Sequence, residues 1–354
     1  MKRLLWVAWV AMVAISCSTQ PKFTISGTMR GDHTMAYLWD RATRTYLDSV
    51  AMEEGQFRFE GVYEKPCQLT ILDANDPDKA KQFITILVEP GDIQIAPDPE
   101  DEREHLVTGT PANDAYAAYY VAQGRDFAEM RAAETSEERR AELEQAMRDR
   151  EWALIAANTH NLIAPLQLRT ETYDLSADEL MAWVERFTPE VQQSAAAQEL
   201  VEVAEKKRRT EVGQPYMDFE LPNAKGESVS LKSVIENPNN RYLLLDFWAS
   251  WCGPCMAEMP YLKEAYAAYH GKGFEIVGVT RDWKQEAWLK AIEKHQLNWI
   301  QLGKIVDVPG NEVSELYGVQ AIPSNFLIDC STGKIVGVNL RGEAVKETVA
   351  ELLK

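Results

Sequence analysis

A cysteine pair that follows an apolar strand is the feature that most restricts the fold of this 354-residue chain. Residues 242–247 (YLLLDF) are apolar nearly throughout, as in the central strand of a sheet with both faces covered. A Cys-Gly-Pro-Cys sequence spans residues 252–255, and the residues after it have the pattern of an amphipathic helix that ends near His270. This order predicts a strand, a short turn and a helix whose first turn carries two thiols.

The two cysteines differ in their positions along this helix, and the difference suggests their roles in disulfide exchange. A helix N-terminus lowers the pKa of a thiol, and Pro254 fits the first turn because its missing N–H would have no partner there. We expect Cys252 to lie at the start of the helix with its sulfur exposed, and Cys255 to be more buried. Cys252 would then attack a substrate disulfide, and Cys255 would resolve the mixed disulfide.

Two other uses of a Cys-x-x-Cys pair are less favoured by the sequence. Half of a zinc site would need a second pair of ligands, but Cys67 and Cys330 stand alone and no histidine lies within a few residues of either. A purely structural disulfide would be strained with only two residues between its cysteines, which favours a redox couple. We expect Cys67 and Cys330 to be free buried thiols, with a disulfide between domains as the alternative.

The sequence around the pair resembles a known family. Residues 247–255 (FWASWCGPC) resemble the thioredoxin active-site motif, and residues 252–260 (CGPCMAEMP) resemble the TlpA/ResA-type branch of exported thioredoxin-like proteins. The segments at residues 317–323 (YGVQAIP), 326–329 (FLID) and 333–336 (GKIV) are similar to the same branch. The resemblance covers about residues 212–354 and implies a thioredoxin-like α/β fold, in which helices flank a central sheet.

The resemblance also implies roles for four residues besides the cysteines. Pro323 matches the proline of a cis peptide bond, in a loop that faces the cysteines and aligns the substrate backbone. Asp246 matches a buried acid that takes up the proton of the resolving thiol, and burial is expected to raise its pKa. Glu258, on the same helix face as Cys255, matches a residue that tunes the thiols, although a solvated glutamate fits the position equally well. Trp251 is expected to shield the disulfide or simply to pack beside it.

The family resemblance implies thiol–disulfide exchange with cysteines of other envelope proteins, and apocytochrome c maturation is the best-known use of this branch. It implies no bound cofactor, because the electrons come from a dithiol protein in the membrane. Peroxidase chemistry is disfavoured because Ala249 stands where peroxiredoxins carry a threonine three residues before the reactive cysteine. The alternative function is a binding lipoprotein that uses the thioredoxin-like domain only as a scaffold.

Residues 1–17 predict an export signal. Lys2 and Arg3 precede an unbroken apolar segment, residues 4–15, which is short for a transmembrane helix. The Ser-Cys sequence that ends at Cys17 resembles a bacterial lipobox. This resemblance implies that Cys17 is lipidated and that the protein is anchored to a membrane of the cell envelope, facing the periplasm. An ordinary cleaved signal with an incidental cysteine is the alternative.

The rest of the chain divides by its patterns into three domains. Residues 22–111 carry short alternating strands separated by turn residues, which predicts an all-β sandwich. In residues 112–210 the apolar residues repeat every three or four positions, which predicts a helical connector, with one helix from Pro189 to about Arg209. Strands and helices alternate in residues 211–354, as in an α/β domain.

The predicted β-sandwich also resembles a domain that often precedes TlpA-like modules in envelope lipoproteins. The resemblance is carried by residues 26–27 (SG), 48–50 (DSV), 55–57 (GQF) and 88–92 (VEPGD). We expect a spacer or a partner-docking role for this domain. The whole chain has a formal net charge of −18, which argues against nucleic-acid binding because phosphate contacts need a basic patch.

Overall fold

The computed structural model describes residues 20–31, 33–99, 101, 104–305 and 312–354. These residues divide by their packing into two compact units. The first contains the described residues up to Leu166 together with Phe187–Ala195, and the second contains Gln167–Arg186 together with Ala196–Lys354. The predicted signal segment, including Cys17, lies outside the described residues. No helix in the described part of the chain is both long enough and apolar enough to cross a membrane.

The first unit begins with two four-stranded sheets that share one core. Their strands are β1 Lys22–Thr28, β2 Met35–Asp40, β3 Thr45–Ala51, β4 Gln56–Val62, β5 Cys67–Leu72, β6 Phe83–Val88, β7 Gly91–Pro97 and β8 His105–Thr108. One sheet has the order β4-β1-β7-β8 and the other has the order β3-β2-β5-β6. Ile25 and Ile93 of the first sheet lie in the same buried cluster as Leu38 and Ile86 of the second. The predicted β-sandwich is therefore confirmed.

Helices follow the sandwich, as the connector prediction requires. They are α1 Pro111–Arg131, α2 Glu137–Ala157, α3 Ile163–Glu171, α4 Ala177–Glu185, α5 Pro189–Gln192 and α6 Ala195–Arg208. The single helix expected from Pro189 is interrupted, because Ser194 donates from its backbone N–H (3.0 Å) and its hydroxyl (2.6 Å) to the carbonyl of Val191. The two compact units divide these helices between them, and the expected limits at residues 112 and 210 remain predictions.

The second unit contains a mixed sheet with helices on both faces. Its elements after α6 are β9 Glu220–Pro222, β10 Ser228–Ser230, α7 Leu231–Ile235, β11 Tyr242–Trp248, α8 Gly253–Tyr269, β12 Phe274–Thr280, α9 Gln285–His295, β13 Ile300–Leu302, α10 Glu312–Leu316, β14 Ser324–Asp329, β15 Lys334–Val338 and α11 Glu343–Leu352. The five-stranded sheet has the order β13-β12-β11-β14-β15. Strand β11 is parallel to β12 and antiparallel to β14. This is the thioredoxin-like architecture that the sequence predicts.

The central strand β11 directs its side chains to both faces of this sheet. Leu243 and Leu245 belong to the buried cluster that includes residues of α7 and α10. Leu244 and Trp248 belong to the cluster that includes residues of α8 and α11. Because successive side chains of a strand alternate between faces, Asp246 lies on the α8 side with Leu244 and Trp248. The strand therefore places a carboxyl on the face covered by the helix that carries the cysteine pair.

Candidate active site

The cysteine pair forms a disulfide at the N-terminus of α8. Cys252 is the N-cap residue, and its Sγ accepts a hydrogen bond from the backbone N–H of Cys255 at 3.1 Å. Gly253 and Pro254 occupy the first positions of the helix, where the missing N–H of proline leaves no hydrogen bond unmade. The structure thus has the strand, turn and helix in the order that the sequence predicts.

Cys252 is less accessible than we expected from its position. The residue is 5% exposed, and Cys255 is 1% exposed. The carbonyl oxygen of Ile322 lies 3.7 Å from the Sγ of Cys252, so a loop that is remote in the sequence covers this side of the disulfide. The expectation of an exposed sulfur is wrong for this oxidised form, whereas the expectation that Cys255 is the more buried of the two is confirmed.

The loop against the disulfide contains a cis peptide bond between Ile322 and Pro323, as the family resemblance implies. Strand β14 begins at the next residue. The carbonyl of Pro323 accepts a hydrogen bond from the hydroxyl of Tyr173 at 2.6 Å and another from the guanidinium of Arg341. Side chains from two other parts of the sequence therefore fix the loop that faces Cys252.

Asp246 is an acid that the protein almost completely buries. The residue is 3% exposed and shares the α8 side of the sheet with the cluster that contains Cys255. Burial raises the pKa of Asp246 from 3.8 to about 7, while Arg341 lowers this pKa and Glu258 raises it further. A carboxyl that titrates near neutrality can accept and return a proton at physiological pH.

Glu258 lies one turn after Cys255 on α8 and is partly exposed. Its Oε2 accepts a hydrogen bond of 2.8 Å from the backbone N–H of Gly342, the N-cap residue of α11. A carboxylate is favourable at this end of a helix because the helix dipole is positive there. Glu258 is therefore anchored to α11, and it is not the freely solvated glutamate of the alternative interpretation.

Trp251 forms an exposed aromatic pair with Trp283 next to the disulfide. The ring centroids are 5.1 Å apart and the planes differ by 16°, so the indoles are stacked. Trp251 is 52% exposed and Trp283 is 48% exposed. The pair leaves a large apolar surface in solvent directly beside Cys252.

Asp282 connects the turn before the cysteines to the end of β12. Its carboxylate accepts hydrogen bonds from the backbone N–H of Ser250 (3.0 Å), the hydroxyl of Ser250 and the hydroxyl of Thr280 (2.8 Å).

Our sequence reasoning missed Asp282 and Trp283. Both residues follow β12, which is parallel to β11. The C-terminal ends of two parallel strands lie at the same edge of the sheet, so the position of Asp282 and Trp283 after β12 could have indicated that they lie near the cysteines that follow β11. Tyr173 and Arg341 were also missed, and no motif marks them.

Cys67 and Cys330 are free thiols, as expected. Both are partly buried. Burial raises the pKa of Cys67 to about 11 and that of Cys330 to about 12. Neither cysteine therefore has an appreciable fraction of thiolate, the nucleophilic form, at neutral pH.

Both the N-terminal and the C-terminal regions of the chain match known protein families. Residues 212–337 match the AhpC/TSA family, and residues 23–116 match a family described as a domain of unknown function, DUF4369. The chain is 32% identical over 150 residues to the thiol-disulfide oxidoreductase ResA of Bacillus thuringiensis subsp. konkukian, a match that covers 42% of this chain and 80% of that protein. ResA of Geobacillus thermodenitrificans is 32% identical over 143 residues, covering 40% of this chain and 76% of that protein.

Among solved structures, the thioredoxin domain of a thiol-disulfide oxidoreductase from Bacteroides vulgatus is 35% identical, covering 41% of this chain and 99% of that domain, with a TM-score of 0.37. The mixed sheet, the disulfide at the start of α8 and the cis proline beside it define a thioredoxin-like thiol–disulfide oxidoreductase. The identity and coverage of the first relative show that the chain belongs to the ResA family of thiol–disulfide oxidoreductases. The protein also carries an N-terminal β domain.

Proposed function

We propose that this protein exchanges disulfides with cysteines of exported proteins through Cys252 and Cys255. The observation that carries the proposal is the Cys252–Cys255 disulfide at a helix N-terminus, next to a cis proline and on the same side of the sheet as a carboxyl whose pKa is about 7. This arrangement supplies a nucleophile, a resolving thiol and a proton acceptor, which are the groups that disulfide exchange needs.

The reducing reaction has two steps. The thiolate of Cys252 attacks one sulfur of a substrate disulfide, so that an S–S bond forms to Cys252 while the substrate S–S bond breaks, and one substrate cysteine leaves as a thiolate. Cys255 then gives its proton to Asp246, and its thiolate attacks the Sγ of Cys252 and releases the second substrate thiolate. The protein ends with the Cys252–Cys255 disulfide, and two electrons have passed to the substrate. Oxidation of a substrate dithiol follows the same steps in reverse.

The neighbouring residues support these steps. The carbonyl of Ile322 and the cis bond at Pro323 leave backbone groups beside Cys252, where an extended substrate can align. Glu258 raises the pKa of Asp246 and so favours uptake of the proton. The exposed face of Trp251, stacked on Trp283, offers an apolar contact for residues that flank a substrate cysteine.

The proposed site of action is the periplasm-facing side of the cell envelope. The apolar segment at residues 4–15 and the Ser-Cys sequence at Cys17 support export and lipid anchoring. In such a compartment the proposed electron donor is a dithiol protein of the membrane, and the proposed substrates are envelope proteins, with cytochrome c maturation as one process. The N-terminal β domain would act as a spacer or a docking module.

Reduction of insulin by dithiothreitol tests whether the protein catalyses exchange. The wild-type protein should accelerate insulin precipitation relative to the Cys252→Ser, Cys255→Ser double variant, which keeps the whole scaffold. Equal rates would contradict catalysis and favour the binding lipoprotein. A Cys255→Ala variant expressed in the native cell should retain clients as mixed disulfides on Cys252, and mass spectrometry would identify them.

Lipid anchoring requires a separate test. Cys17→Ser should move the protein from the membrane fraction to the soluble fraction, because the anchoring chains can no longer be attached. The matched control is Ser18→Ala, which alters the adjacent residue and should stay with the membrane. A Cys17→Ser protein that also stays with the membrane would contradict lipidation of Cys17.

A further inference from the structure

Tyr173 lies in the turn between α3 and α4, and it contacts the loop that contains the cis bond. Its hydroxyl donates to the carbonyl oxygen of Pro323 at 2.6 Å, although the two residues are 150 positions apart in the sequence. This distance is at the short end of the range for a hydrogen bond between a hydroxyl and an oxygen acceptor. The residue belongs to the helical part of the sequence, which none of the proposed exchange steps uses.

Arg341 completes a set of contacts around the same carbonyl. Its guanidinium donates to the carbonyl of Pro323 and to the hydroxyl of Tyr173, and another of its N–H groups donates to the carbonyl of Leu340 at 2.8 Å. The Cζ of Arg341 lies 6.0 Å from the centre of the Tyr173 ring, at the outer limit of a cation–π contact. The hydroxyl of Tyr173 donates to the carbonyl of Pro323 and accepts from the guanidinium of Arg341, so the three groups form one connected hydrogen-bond network in which each bond strengthens the others.

The turn that carries Tyr173 is itself held in place. The ammonium of Lys207 on α6 donates to the carbonyl of Tyr173 at 3.1 Å and to the carbonyl of Leu175. The hydroxyl of Thr172 is 3.4 Å from the Oε1 of Gln320, which precedes the cis bond by two residues. These contacts fix the backbone of Tyr173, so its side chain can hold the loop that contains the cis bond.

The position of the Pro323 carbonyl affects the disulfide through the preceding residue. The carbonyl of Ile322 lies 3.7 Å from the Sγ of Cys252, so a movement at Pro323 also moves the backbone that faces this sulfur. A polypeptide substrate must align its backbone with this loop before its disulfide is in line with Cys252. A small disulfide has no backbone to align, and its reaction depends much less on the loop.

On the basis of the proposed function, we propose that Tyr173 and Arg341 are positioning residues for polypeptide substrates. They hold the carbonyl of Pro323 and thereby fix the backbone that receives the substrate beside Cys252. The turn between α3 and α4 then belongs to the catalytic apparatus of the thioredoxin-like domain.

The test uses the prereduced full-length protein and compares two oxidants, insulin and hydroxyethyl disulfide. Tyr173→Phe and Arg341→Gln should each lower the second-order rate constant with insulin by about two- to tenfold, the effect of losing one hydrogen bond. The rate constant with hydroxyethyl disulfide should stay unchanged in Tyr173→Phe. Arg341→Gln also raises the pKa of Asp246, which affects the reaction with both oxidants alike, so its insulin rate constant should fall relative to its rate constant with hydroxyethyl disulfide. Tyr266→Phe is the matched control, because its hydroxyl bonds to Glu275 from the last turn of α8, at the opposite end of the helix from the disulfide, and it should change neither constant.

The ratio of the two rate constants separates positioning from a general structural effect. If Tyr173→Phe and Arg341→Gln keep the wild-type ratio, because both constants fall together or neither falls, the positioning role is wrong. Arg341→Lys should recover only part of the insulin rate, because an ammonium cannot reproduce the planar fork of donors. Failure of the proposed function would look different, since the wild-type protein itself would then react with insulin no faster than the Cys252→Ser, Cys255→Ser variant.

Discussion

Arg341 opposes the effect of burial on the pKa of Asp246. Burial raises the pKa of this carboxyl to about 7, the guanidinium of Arg341 lowers it, and the carboxylate of Glu258 raises it. Arg341 also donates to the carbonyl of Pro323. One side chain therefore acts on both the acid and the loop beside the disulfide.

The rate of the resolving step should rise with pH as Asp246 ionises. The carboxylate accepts the proton of Cys255 only in its charged form, so the rate should show an inflection near pH 7. Asp246→Asn should remove this inflection and slow resolution by roughly 100-fold, the lower range for loss of a general base. Stopped-flow measurement of release of the second substrate thiol would show this. An inflection that survives unchanged in Asp246→Asn would contradict the role of this acid.

The same pKa shift should make the protein less stable as pH rises. An unfolded aspartate ionises near pH 3.8 and the folded one near 7, so between these values the folded state binds the extra proton. The free energy of unfolding should therefore fall from about pH 4 to about pH 7 and then stay level, with a total loss of roughly 4 kcal/mol for three pKa units.

Urea denaturation of the oxidised protein at pH 5 and pH 8 measures this dependence. Asp246→Asn should be more stable than the wild type at pH 8, because an uncharged amide has no ionisation to lose. Asp149→Asn, on the exposed part of α2, is the matched control and should follow the wild type. A wild-type stability that increases between pH 5 and pH 8 while that of Asp246→Asn does not would contradict the raised pKa.

The two charged neighbours of Asp246 should shift its pKa in opposite directions when they are neutralised. Arg341→Gln removes the cation and should raise the pKa of Asp246, whereas Glu258→Gln removes the anion and should lower it. Glutamine at position 258 keeps an oxygen that can accept from the N–H of Gly342. NMR titration of the Asp246 carboxyl carbon measures both shifts. Shifts of the same sign in the two variants would show that the electrostatic assignment is wrong.

The sequence predicted those parts of the site that lie on one continuous segment. The apolar run of β11 and the Cys-Gly-Pro-Cys sequence gave the strand, the turn and the helix. The family resemblance added the burial of Asp246 and the cis bond at Pro323. These features depend on local geometry, which neighbouring residues determine.

The contacts between distant segments could not be read from the sequence in this way. Tyr173 and Arg341 meet at the carbonyl of Pro323, and nothing in the residues around any of the three indicates the other two. The low exposure of Cys252 has the same origin, because the loop at Ile322 covers it. Periodicity identifies the face of an element, but it does not say which loops lie against each other.

Cys67 and Cys330 should be poor targets for alkylation in the folded protein. With pKa values of about 11 and about 12, their thiolate fractions at pH 8 are at least roughly 100-fold below that of an ordinary thiol, and the thiolate is the reacting form. Treatment of the oxidised protein with iodoacetamide, followed by mass spectrometry, measures both rates. The urea-unfolded protein is the control, in which both cysteines should react at an ordinary rate. Rapid labelling of either cysteine in the folded protein would contradict the effect of burial.

The most direct test of the central claim is the mass spectrum of single-cysteine variants that have been mixed with a peptide disulfide. Cys255→Ala should accumulate a stable adduct in which Cys252 is bonded to one half of the peptide, because no resolving thiol remains. Cys252→Ala should form little or none, because Cys255 is the more buried residue. An adduct that forms on Cys255 but not on Cys252 would reverse the proposed roles, and no adduct on either would contradict disulfide exchange at this site.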